Sequence, residues 1–168
     1  MHEYYIEVLD FKYPKLELLE YQKSIKEWKP NFYFLKVNID SIKEEKWFET
    51  AICSEDLVER IRNNITPPFN TGAFKFQKNL AQGTVPFHID QYRDCVLMLP
   101  LTDDNSGLQW VDSNNNILCE YQYKGPTIIN SKIRHGIPTN NKDRIFFQVN
   151  IPCTWEYMKD NYKTIFKC

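Results

Sequence analysis

Histidine is scarce in this chain: there are three among 168 residues, at positions 2, 88 and 135. Arginine is nearly as rare, with five, at 60, 62, 93, 134 and 144. The five cysteines (53, 95, 119, 153 and 168) form no C-x-x-C pair, and their number is odd. That argues against a thiolate metal site and against a secreted disulfide framework. Cys95 and Cys119 sit in strand-like runs and read as small buried hydrophobes, while Cys168 is terminal and expected to be exposed. No apolar stretch approaches the length of a membrane span. Met1-His2-Glu3-Tyr4-Tyr5 offers no basic region leading into an apolar run, so no signal peptide is expected. Neither sign of charge dominates: 21 Lys and Arg stand against 22 Asp and Glu, a net charge of −1. The basic footprint of a dedicated nucleic-acid binder is missing. A soluble protein of a reducing cytoplasm, acting on neither membrane nor nucleic acid, is the expectation.

What the sequence does have is apolar and aromatic mass, 42% and 15% of its residues. That suffices for the core of one domain and suits a β-rich one. The pattern divides it into a helix-rich support (1–70), a β-rich core (71–152) and a C-terminal tail (153–168). In the first part, Pro14 opens a helical segment with Leu16, Leu19, Ile25 and Trp28, and Pro30 closes it. Asn31 to Ile39 reads as a strand. Asp40 or Ser41 could cap a helix carrying Ile42, Trp47, Phe48 and Ile52, and Ser54 another carrying Leu57, Val58 and Ile61. From about residue 72, eight short strands alternate with turn residues: 72–77, 85–90, 93–100, 107–112, 117–123, 126–131, 133–138 and 144–151. Their number and spacing predict a mainly β fold with N-terminal helices, a double-stranded β-helix or jelly roll of cupin type. An open β-sandwich of another topology is the alternative.

Strand alternation assigns faces. Ile145, Phe147, Val149 and Ile151 form a core face. Arg144, Phe146, Gln148 and Asn150 form a mixed one, as the wall of a polar pocket would. Val85, Phe87 and Ile89 are expected to point one way, with His88 and Asp90 together on the other. Cys95 to Leu101 is apolar on both faces and should be central, covered by the N-terminal helices.

Two of the three histidines join that pattern. His88-Ile89-Asp90 is an H-x-D triplet at a strand end, and His135 follows 47 residues later on another short strand. Two imidazoles and one carboxylate suit a first-row divalent metal, leaving positions open for substrate and oxygen. Alone, H-x-D arises often by chance, and a strand histidine is commonly a hydrogen-bonded packing residue. Arg144, nine residues beyond His135, opens the last strand on its mixed face. It could pair with a carboxylate in two-pronged fashion, or be a surface arginine or one paired to Asp143.

The stretch from Val85 to Ile151 resembles the core of the 2-oxoglutarate/Fe(II) dioxygenase superfamily. HIDQYRDCVLMLPL and INSKIRHGIPTNNKDRIFFQVNI are similar to its aspartyl/asparaginyl- and prolyl-hydroxylase-like branches. The resemblance implies that His88, Asp90 and His135 hold Fe(II), and that Arg144 takes the distal carboxylate of 2-oxoglutarate. Molecular oxygen would be the oxidant and hydroxylation the outcome, on an amino acid, a protein residue or a small metabolite. Asp90 departs from the aspartyl/asparaginyl β-hydroxylases proper, which lack the acid, and from halogenases, which replace it with a small residue. Asn150 stands where nucleic-acid demethylases usually carry a second arginine, and Arg144 where collagen-type prolyl hydroxylases use lysine.

Arg93 could help bind a carboxylate or belong to a surface loop. Asn130 and Gln148 could line the co-substrate pocket or satisfy backbone groups. Trp110, and Gln77 or Lys75, could meet substrate, though an aromatic in a strand is more often core. Two other functions fit the same residues. One is a cupin-type metal protein that does not use 2-oxoglutarate; the other is a non-catalytic β-sandwich interaction module.

Overall fold

The computed structural model describes residues 3–31, 46–103 and 107–166. The N-terminal part supplies β1 (Tyr5–Glu7), α1 (Lys15–Ser24), β2 (Lys29–Pro30), β3 (Trp47–Thr50) and α2 (Glu55–Arg62). Then come β4 (Phe74–Asn79), β5 (Val85–His88), β6 (Cys95–Pro100), β7 (Leu108–Val111), β8 (Ile117–Tyr121), β9 (Thr127–Asn130), β10 (His135–Ile137) and β11 (Arg144–Ile151). Helix α3 (Trp155–Ile165) is the last element. Every one of the eight expected core strands is present.

They form two antiparallel sheets, β1-β9-β6-β11-β4-β3-β2 and β5-β10-β7-β8. The eight strands β4 to β11 cross between the sheets so that β4, β6, β9 and β11 share one and β5, β7, β8 and β10 the other. That is the double-stranded β-helix, and the open sandwich is set aside. Within the small sheet, a tight turn joins neighbouring strands. Between β7 and β8, the Asp112 carboxylate accepts from the Asn114 and Asn116 amides at 2.8 and 2.9 Å, and Asn115 adopts φ 67°.

Each face of the large sheet carries its own apolar core. Outside, Leu97, Leu99, Phe147 and Val149 pack beneath Leu18 of α1, Ile61 of α2 and Met158 of α3. Inside, Val96, Met98, Ile129 and Phe146 meet Leu108, Trp110 and Ile137 from the small sheet. Strand β6 is buried along its whole length, which is why its sequence is apolar without alternation.

Three sequence expectations are corrected. Helix α1 ends at Ser24, and it buries Leu18 and Gln22 while Leu16 is exposed. Ile25 is already extended, and Lys29–Pro30 is drawn off to pair with β3, so strand pairing overrides helical spacing. Trp47 and Phe48 lie not in a helix but in β3, registered on β4 from Trp47↔Asn79 to Thr50↔Phe76. The edge of β4 would otherwise leave its backbone groups unpaired. The expected strand beyond Asn31 and the helical residue Ile42 lie outside the described residues. Residues 153–168, expected as a tail, carry α3, whose Trp155, Met158 and Ile165 complete the outer core. Thr154 caps it, accepting from the Tyr157 amide at 3.3 Å.

Candidate metal centre and cavity

His88 ends β5 and His135 begins β10, and the two are directly paired across the small sheet. Their rings lie 4.5 Å apart between centroids. Asp90, two residues past β5, turns back so that its Oδ1 is 3.7 Å from His88 Nε2. One ligand atom from each of the three residues lies within 4.8 Å of the other two. The expected triad is therefore brought together, with His135 and Asp90 buried.

Each ligand is held through its other polar atom. His88 Nδ1 is 2.6 Å from the Pro86 carbonyl, and His135 Nδ1 is 2.8 Å from the Ile133 carbonyl. A carbonyl only accepts, so Nδ1 carries the proton on both rings and Nε2 is the ligand atom each ring would offer a cation. Asp90 Oδ2 accepts from Arg93 Nε at 2.6 Å, which leaves Oδ1 toward the imidazoles. Arg93 also donates from Nη1 to Asn150 Oδ1 at 2.8 Å, tying the loop to β11. The loop is anchored a third time by Ser131, whose carbonyl accepts from the Asp90 amide at 3.0 Å and whose hydroxyl donates to the Arg93 carbonyl at 2.9 Å.

The electrostatics fit a cation site. Burial pushes the His88 imidazolium pKa down; for His135, burial and then the neighbouring His88 bring it to about 4. Both rings are thus neutral near neutral pH, as metal binding requires. Burial alone would raise Asp90, but the Arg93 guanidinium, with the two imidazoles, holds it below the ordinary carboxylate range.

The triad opens on a cavity of about 320 Å³. Its inner wall is apolar, from Val96, Met98, Leu108, Ile129 and Ile137. Its other wall is polar, from Asn31, Glu49, Lys75, Gln77, Gln148 and Asn150. Val85 lines it beside His88, against the alternation expected for this strand. The register with β10 shifts between His135↔His88 and Ile137↔Val85, so three steps on β5 oppose two on β10. This bulge turns both residues inward.

The other expected site residues divide. Gln77, Lys75, Gln148 and Arg93 line the cavity. Trp110 does not; it is fully buried, donates to the Asn130 carbonyl at 3.0 Å, and stacks against Tyr5. Asn130 lies outside the lining too, its Nδ2 donating to the Glu3 carbonyl and its Oδ1 accepting from the Lys132 amide. Arg144 is buried at the far end of β11 from Asn150, its guanidinium 4.9 Å from the Phe146 ring and 6.0 Å from the Tyr123 ring. Tyr123 lines the cavity and Arg144 is not among the lining residues. Trp47, Glu49 and Tyr123 were missed from the sequence. The first two became visible only once β3 proved to be a strand, where i and i+2 share a face.

No family model matches the sequence, and no curated protein matches it. Solved structures do. A 2OG-Fe(II) oxygenase family oxidoreductase from Burkholderia pseudomallei aligns with a TM-score of 0.55 at 8% identity, over 87% of this protein and 82% of that one. A viral collagen prolyl hydroxylase from Paramecium bursaria Chlorella virus-1 aligns at 0.46 and 9%, over 63% and 79%. A predicted oxalate decarboxylase from Thermotoga maritima aligns at 0.38 and 16%, over 62% and 79%. At 8% identity the likeness to the Burkholderia protein shows the fold alone, the double-stranded β-helix that the strand order defines. No helix among the described residues is long and apolar enough to cross a membrane.

Proposed function

We propose that this protein is an Fe(II)- and 2-oxoglutarate-dependent oxygenase that hydroxylates a small organic substrate. One observation carries the reading: two histidines with their Nδ1 atoms on carbonyls, and one carboxylate with a single oxygen on Arg93, present three ligand atoms to one point at a cavity mouth. Two nitrogens and one oxygen on one face are the donor set of non-haem Fe(II), and leave the opposite face open. Bound iron would supply Lewis-acid binding of the keto acid and activation of oxygen. The protein's own residues do the rest. Val96, Met98, Ile129 and Ile137 exclude water from the inner end, and Gln148 adds a neutral amide to the polar wall. Arg144, with its guanidinium 6.0 Å from the ring of the cavity residue Tyr123, would take the distal carboxylate. Turnover tests this. With Fe(II), ascorbate and oxygen, the protein converts 2-oxoglutarate to succinate and CO₂, slowly without substrate, and His88→Ala abolishes it. Iron-loaded, folded protein that leaves 2-oxoglutarate unchanged contradicts it.

The position of Arg144 supports a second reading. Since Arg144 is not among the residues that line the cavity, the site also suits a cupin-type metal protein that takes no 2-oxoglutarate. That reading expects metal binding lost in His88→Ala, and 2-oxoglutarate affinity that is negligible and unmoved by Arg144→Ala.

A further inference from the structure

The eight-strand fold does not need β2 and β3, yet β3 and the residue just past β2 build one wall of the cavity. β3 supplies Trp47 and Glu49, Asn31 follows directly on β2, and from the adjacent β4 comes Lys75. Trp47 lies beside the metal ligand His88, with ring centroids 5.8 Å apart. Glu49 follows on the same face of β3, roughly 7 Å further along. Its Oε2 accepts from both Lys75 Nζ and Asn31 Nδ2, the latter at 3.2 Å. The ion pair is sheltered, with side groups 22% and 33% exposed for Lys75 and Glu49. A cavity wall carrying one anion and one cation in contact is complementary to a ligand carrying the same two charges side by side.

We propose that the primary substrate is a free α-amino acid, its ammonium on Glu49 and its carboxylate on Lys75. The assignment rests on the oxygenase reading for the reaction, though not for the binding. Both recognition charges are already paired, so the empty wall costs little. The ligand exchanges that pair for two charge-assisted contacts of its own. Asn31 keeps Glu49 aimed while the exchange occurs. A simple carboxylate would leave Glu49 with a sheltered charge and a lost partner, and a simple amine would do the same to Lys75, so the wall selects against both. Because Trp47 separates this pair from His88, it is the side group of the amino acid, not its α-carbon, that extends along the indole toward the metal. The bond that reacts is accordingly a C–H bond of that side group.

The experiment is a thermal-shift and calorimetric screen of the metal-free protein against the twenty standard L-amino acids. Every responding amino acid is repeated as its N-acetyl and its carboxamide derivative. The expected result is binding by at least one amino acid and by neither of its derivatives. Glu49→Gln and Lys75→Met should each weaken it roughly ten- to hundredfold. Both variants should retain the Fe(II)/2-oxoglutarate absorption band of the wild type, which shows that they fold and that the metal site is intact. Absence of binding by all twenty, equal binding of a blocked derivative, or binding unchanged in both variants overturns the proposal. Since binding is read without iron, a missing absorption band in wild type would defeat the oxygenase reading and leave this one to be judged on its own data.

Discussion

Each group of the triad is oriented by a second bond, and the consequences are sharpest for Asp90. Its orientation depends on Arg93, which spans Asp90 and Asn150 with two different nitrogens. Arg93→Gln should weaken Fe(II) or Zn(II) binding roughly ten- to hundredfold by calorimetry, the usual effect of removing a group that orients a ligand. Arg93→Lys should not restore it, because a single ammonium on a flexible stem cannot reproduce the fork. The histidines predict a pH dependence. His135 has a folded pKa near 4 from burial and from His88, against about 6.5 in the unfolded state. The unfolded state therefore binds more protons between these values, so the metal-free protein loses stability as pH falls through that window. Urea unfolding at about pH 7 and about pH 5 should show this loss, and it should shrink in His135→Gln. An identical loss in the variant would remove His135 as its source.

Strand β10 is the element on which the site depends, and its glycine is a matter of space. A Cβ on Gly136 would lie 2.6 Å from the Val85 carbonyl oxygen and 3.0 Å from the Phe87 Cα, both backbone atoms of β5. Gly136→Ala must push β10 off β5 and carry His135 away from His88. The expected cost is about 1–3 kcal/mol in chemical unfolding, with a parallel loss of metal affinity. Helix α3 matters to the fold rather than the site. Met158→Ala, at a fully buried position in the outer core, should cost about 2–5 kcal/mol and leave metal affinity per folded molecule unchanged. The eight core strands were legible in the sequence because turn residues and two-residue alternation report strands directly, and His88, Asp90 and His135 rode on that frame. β3 was not legible, since the apolar positions Trp47, Phe48 and Ile52 also fit helical spacing, and only the open edge of β4 decides between them. The inward turn of Val85 was hidden because a bulge breaks alternation without leaving a residue type behind. Trp110 and Asn130 lay on strands next to the site. Which strand residues reach the cavity depends on the packing of two sheets, and no single strand's pattern carries that.

At the scale of the molecule, two cores flank one sheet, and the metal site lies at the rim of the inner one. The outer core, under three helices, fixes the large sheet; the inner core gives the cavity its apolar lining, from Val96, Met98, Leu108, Ile129 and Ile137. A cation bound only by the folded protein should raise its melting temperature in proportion to the logarithm of free metal, and chelation should reverse this. The central claim, iron and 2-oxoglutarate bound together at His88, Asp90 and His135, is tested most directly by anaerobic titration. Fe(II) is added to the metal-free protein, then 2-oxoglutarate, and the visible spectrum is followed. A weak metal-to-ligand charge-transfer band that saturates with one keto acid per iron, is absent in His135→Ala, and needs higher 2-oxoglutarate in Arg144→Ala is the predicted result. A folded protein that binds iron and shows no band at saturating 2-oxoglutarate would contradict it.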